Sequence, residues 1–69
     1  MKIKDLKAGD YFKVTEDAKI VYIMGYPNGW TYKKNYDRST KTYGCVKAND
    51  VNSEKFFKAD KEVFVNFEY

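Results

Sequence analysis

Lys19-Ile20-Val21-Tyr22-Ile23-Met24-Gly25-Tyr26-Pro27-Asn28-Gly29-Trp30-Thr31-Tyr32-Lys33 decides the fold class. Its first half is β-branched and aromatic, the composition that suits a pleated, half-buried surface. Its middle, Tyr26 to Trp30, holds a proline that presets φ and an Asn-Gly pair that tolerates left-handed backbone. The stretch predicts a hairpin, with Lys19 to Tyr26 and Trp30 to Tyr36 as strands on either side of the turn.

Working outward, short alternating segments separated by turn residues continue in both directions, the spacing of an all-β chain. Upstream, Tyr11 to Val14 reads as a strand with Phe12 and Val14 on one face. Ile3 and Leu6 are apolar plugs ahead of a turn at Gly9. Downstream, Tyr36 to Lys41 is a second turn in which Asp37 can bond the backbone ahead of it. Lys41 to Lys47 is the fourth strand. Ala48 to Lys58 breaks the alternation, and Asn52 or Ser53 there predicts the cap of a single helical turn carrying Phe56 and Phe57. The last strand is Glu62 to Tyr69, with Val63, Val65, Phe67 and Tyr69 on one face and Phe64 and Asn66 on the other. Five strands with a short helical turn before the last is the order of a small SH3-like barrel, here one domain spanning residues 1–69. Closure into a barrel removes the exposed edges that an open sheet has to protect.

A chain of 69 residues has little surface to bury and few ways to compensate. Cys45 is alone, so no internal disulfide forms, and the absence of His leaves no Cys/His metal site. Aromatic packing must therefore carry the core, and 19% of the residues are aromatic. No apolar run approaches the length of a transmembrane helix, and no hydrophobic stretch follows the basic N-terminus. These features, with the unpaired thiol, predict a cytoplasmic protein without membrane contact and without a cofactor.

The string Tyr36-Asp37-Arg38-Ser39-Thr40-Lys41-Thr42-Tyr43-Gly44-Cys45, then Asp50-Val51 and Val63-Phe64-Val65-Asn66-Phe67, resembles a group of short, uncharacterised proteins encoded by bacterial phages and mobile elements. The opening Leu6 to Phe12 fits the same pattern. The resemblance implies a host-interaction or element-housekeeping role and brings no activity with it.

Catalysis finds little inventory. There is no His for general acid–base work, no paired carboxylates at useful spacing, and no glycine-rich phosphate loop. Lys47 shares the strand face of Cys45 and would lower its pKa, but no orienting third group stands near it in sequence, and Cys45 reads as a small buried hydrophobe. The sequence predicts a binding protein, not an enzyme.

The segment from Tyr26 to Tyr43 stands apart. It carries Lys33, Lys34, Arg38 and Lys41 against Asp37 alone, so the whole formal charge of +3 resides there. It holds Tyr26, Trp30, Tyr32, Tyr36 and Tyr43, whereas all five Phe lie outside it. Tyr and Trp suit a surface that is partly apolar and partly wet. Pairing Tyr36 with Lys41 predicts a register in which Lys34 faces Tyr43, Tyr32 faces Cys45 and Trp30 faces Lys47. Trp30, Tyr32, Lys34, Tyr36, Arg38, Lys41 and Tyr43 are then the candidate contact residues. The same aromatic row would also serve as a core face, with lysine stems covering its rim.

Three functions compete for these residues. One is a protein-interaction module, since Tyr, Trp and Arg dominate interface hot spots. Another is single-stranded nucleic-acid binding, with bases stacked on the aromatics and phosphates tracked by the cations. The third is self-assembly through an exposed β surface, either as a structural component or as a weak homo-oligomer.

Overall fold

The structure, a computed structural model, describes residues 1–67. The chain is all-β, as its alternation predicts, apart from one turn of 3-10 helix at Ile3–Asp5. Among the described residues seven strands follow: β1 (Tyr11–Phe12), β2 (Tyr22–Met24), β3 (Tyr26–Asn28), β4 (Thr31–Lys33), β5 (Tyr36–Asp37), β6 (Thr42–Lys47) and β7 (Asp50–Lys58). They form two antiparallel sheets, a five-stranded one and the separate β3–β4 hairpin.

Strand β6 organises the large sheet. Along one edge it pairs with β7, from Thr42 opposite Lys58 to Val46 opposite Glu54. Its other edge is shared end to end. Cys45, Val46 and Lys47 face β2, while Thr42 and Tyr43 face β5. Gly44 is the changeover. Its carbonyl accepts from the Gly25 N–H at 3.1 Å and its N–H donates to the Asn35 carbonyl at 3.0 Å. The chain therefore leaves the sheet at Gly25, makes the β3–β4 hairpin and rejoins the same edge at Tyr36.

Two close approaches hold that excursion. Gly25 has φ +91°, and a Cβ on it would lie 2.5 Å from the Lys33 carbonyl oxygen, so only glycine fits. Gly44 lets the phenol end of Tyr26 approach β6 closely: a Cβ there would overlap the Tyr26 hydroxyl and sit 2.6 Å from Cζ.

The larger core cluster lies on one face of the sheet, while Ile23 and Val46, paired across β2 and β6, are buried on the other. Phe12, Tyr22 and Phe57 pack ring to ring, with centroids 5.1–5.7 Å apart. Met24, Cys45 and Val63 join them, and Ile3 and Leu6 close the cluster from the 3-10 turn, as plugs. Val14 packs against it on the same side as Phe12. The N-terminal segment is clasped by the region after β7: Ile3 N–H donates to the Lys61 carbonyl and Val63 N–H to the Met1 carbonyl. Beyond it, Lys13 and Phe64 exchange backbone hydrogen bonds, so the C-terminal segment meets the end of β1.

Several predicted elements differ. Ala48 to Lys58 holds no helical turn: Ala48 and Asn49 form a tight turn, and Asp50–Lys58 is the longest strand. Because β7 runs along a sheet edge and buries only Phe57, its sequence shows no alternation to read. The single strand predicted over Trp30 to Tyr36 is two, and they pair with different partners. The hairpin loop is Gly29-Trp30, two residues later than the proline suggested, with Asn28 opposite Thr31. The register slips by two residues: Tyr36 faces Tyr43, not Lys41, because Arg38–Lys41 forms a four-residue loop. Lys41 enters the left-handed region at φ 57° to close that loop. Of the strand predicted over Glu62 to Tyr69, the described residues 62–67 form two isolated bridges, at Glu62 and Phe64, instead of a continuous strand. Val63 is buried and Val65 exposed, and Tyr69 lies outside the described residues.

Candidate functional site

The candidate residues divide into two places. Trp30 sits at the tip of the β3–β4 hairpin with its side chain fully exposed (103% relative accessibility). Tyr32, on β4, is half-buried, and its Cβ and Cδ1 approach Gly9. Lys34, Tyr36 and Tyr43 instead come together where β5 meets β6.

Tyr43 is the base of this second group. It packs against the core cluster from the rim. Tyr36, directly opposite on β5, lies on it with centroids 4.8 Å apart and rings tilted by 41°. Lys34 Nζ stands 4.8 Å above the Tyr43 ring. The same ammonium donates to the Leu6 carbonyl at 2.7 Å and weakly to the Lys4 carbonyl at 3.4 Å. Those carbonyls belong to the 3-10 turn and its exit, where unpaired acceptors gather. Lys34 is thus a half-buried strut between the N-terminal turn and β6, satisfied by carbonyls and a ring face. The cost of an unpaired buried lysine does not arise.

Beside this stack is a depression of about 330 Å³ lined by Lys4, Tyr36, Thr40, Lys41, Lys58, Ala59 and Asp60. Tyr36, 44% exposed, forms one wall. Lys58 Nζ donates to the Thr40 carbonyl at 3.1 Å, and Lys4 Nζ lies 3.5 Å from an Asp60 carboxylate oxygen. Three ammonium groups and one carboxylate leave the hollow basic. Arg38 is exposed in the neighbouring loop, which Asp37 organises by accepting from Ser39 Oγ at 2.7 Å and Ser39 N–H at 3.0 Å. Those bonds hold the Asp37 carboxyl below the ordinary carboxylate range, so it stays ionised.

Lys4 and Lys58 were not among the sequence candidates. Lys4 lies between two plugs, Ile3 and Leu6, and that spacing turns it outward. Lys58 was hidden inside the segment read as helical.

Cys45 is buried on the core face. Desolvation pushes its thiol up to about 11, the opposite of what a nucleophile needs. Among the described residues no group of three or more His, Cys, Asp or Glu could hold a metal ion, and no helix is long and apolar enough to cross a membrane. Comparison of the chain with protein-family models, curated proteins and solved structures gives no match.

Proposed function

We propose that the chain is a non-catalytic protein-interaction module that docks an acidic segment of a partner protein in the basic hollow around Tyr36, with Trp30 as an outlying anchor. The observation that carries this reading is the half-exposed Tyr36 ring, braced by Tyr43 and walled by Lys4, Lys41 and Lys58. A rigid aromatic with cations around it is the composition of an interface anchor. We further read the module as a small SH3-like barrel. The path β1–β2–β6–β7, followed by a C-terminal segment returning to Lys13, supports that reading. A cytoplasmic setting suits the unpaired Cys45. A phage or mobile-element origin rests on the resemblance of the Tyr36–Cys45 and Val63–Phe67 strings.

Single-stranded nucleic acid is the second reading, favoured by the stacked tyrosines. It ranks below because such binders offer successive aromatic platforms. Here Tyr43 is covered by Tyr36, and Lys34 is spent on backbone carbonyls instead of phosphates.

Lys41→Gly makes a clean test. It removes a cation from the hollow and relieves the left-handed backbone at the same position, so the fold is kept or strengthened. Tagged protein incubated with lysate is expected to retain a partner that Lys41→Gly and Tyr36→Ala both lose, with circular dichroism unchanged. Retention of every partner by both variants refutes the site. Salt-sensitive binding of single-stranded DNA or RNA, lost in Tyr36→Ala, turns the assignment to the second reading.

A further inference from the structure

Strand β7 pairs with β6 alone among the described residues, which leaves its other edge open. The direction of its backbone groups follows from Gly44. Both polar groups of Gly44 are used on the β2/β5 side, so Gly44 and Phe56 face each other without bonding. The N–H and carbonyl of Phe56 therefore point away from β6. By the two-residue period so do those of Glu54 and Lys58. Phe56 itself is 48% exposed, on the face opposite the core.

We propose that this edge pairs with the same edge of a second copy, antiparallel, about a two-fold axis through Phe56. The sequence Glu54-Lys55-Phe56-Phe57-Lys58 is self-complementary about that centre. Phe56 opposes Phe56 of the second copy, and Glu54 opposes its Lys58 on both sides. Shifting the centre by one residue in either direction presents backbone groups that already point at β6; shifting it by two opposes Glu54 with Glu54 or Lys58 with Lys58. Charges on edge strands ordinarily discourage pairing. Here their order disfavours the registers two residues to either side and favours this one. Glu54 and Lys58 keep the capacity for it. The carboxylate beside the Tyr26 hydroxyl has further lone pairs, and the ammonium that bonds Thr40 has two more protons. The Lys58 carbonyl, already accepting from Lys61 N–H, has a second lone pair. The interface is isologous, as a two-fold requires, and shares Lys58 with the hollow around Tyr36.

Sedimentation of the full chain over a concentration series tests the pairing. A monomer–dimer equilibrium is expected, weakened about tenfold or more by Phe56→Asp and by each of Glu54→Lys and Lys58→Glu. The double variant Glu54→Lys/Lys58→Glu restores association, because the pair is exchanged and not removed. Tyr36→Ala leaves it unchanged. A chain that stays monomeric up to about 1 mM overturns the proposal. So does a dimer indifferent to Phe56→Asp, or one that the charge exchange fails to restore.

Discussion

At the scale of single residues, burial and not chemistry explains Cys45. It opposes Met24 on one edge and Lys55 on the other, within the cluster that holds Phe12, Tyr22 and Phe57. A thiolate there would lose its hydration, so the folded state holds the proton more tightly than the unfolded chain does. The sign of the pH effect follows. With the thiol raised from 9.0 to about 11, its contribution to stability is whole below pH 9 and is lost as pH rises toward 11. Urea unfolding at pH 8 and pH 10.5 is expected to show a smaller alkaline loss in Cys45→Ala than in the wild type. The native thiol is expected to resist a disulfide reagent at pH 8 until the protein unfolds. Rapid labelling of the folded protein at pH 8 would contradict the buried position.

At the scale of elements, the β3–β4 hairpin is fastened to the sheet by contacts that only small residues permit. Tyr26 rests on Gly44, with its hydroxyl raised above the ordinary phenol value by desolvation and by the adjacent Glu54. Gly44→Ala is expected to cost about 1–3 kcal/mol, since the new methyl must displace a ring hemmed in by β6. The cost should shrink when Tyr26 is also Ala, because the clash partner is gone. A double-mutant cycle by urea unfolding measures this, and additivity within about 0.5 kcal/mol would mean that Tyr26 does not lie on Gly44. The elements also show what the residue order reveals. Lys19–Lys33 was legible as strand, turn and strand because its β-branched run and its Pro-Asn-Gly turn act locally. The slip in register at Tyr36 was not legible, because a lysine closes the loop where a glycine would have marked the place. Nor was β7. An edge strand that buries Phe57 alone has its alternation erased, and its partner on β6 is set by tertiary contact. Of the candidate site, Lys34, Tyr36 and Tyr43 do converge, but through Tyr36 opposite Tyr43 and not through Lys34 opposite Tyr43. Trp30 is separated from them by the departure at Gly25.

At the scale of the whole molecule, the core is assembled from segments distant in sequence, and the N-terminal turn closes it. Ile3 and Leu6 are buried against rings contributed by β1, β2 and β7. Their turn is held from two directions: by the Ala59 and Lys61 carbonyls, which accept from Lys4 and Ile3, and by the Lys34 ammonium on the Leu6 carbonyl. A small domain has a stability of about 5 kcal/mol at the low end of the usual range, and deleting a buried leucine side chain costs about 2–5 kcal/mol. Leu6→Ala is therefore expected to remove much of the stability in one step. Thermal unfolding followed by circular dichroism should stay a single transition with a markedly lower midpoint. Lys34→Ala should cost about 1–3 kcal/mol by removing the charge-assisted hydrogen bond to the part-buried Leu6 carbonyl. The two losses should not add, since both act by freeing the same turn. A Leu6→Ala cost below about 1 kcal/mol, outside the range for a buried leucine, would place the turn outside the cooperative core and leave Lys34 a surface contact.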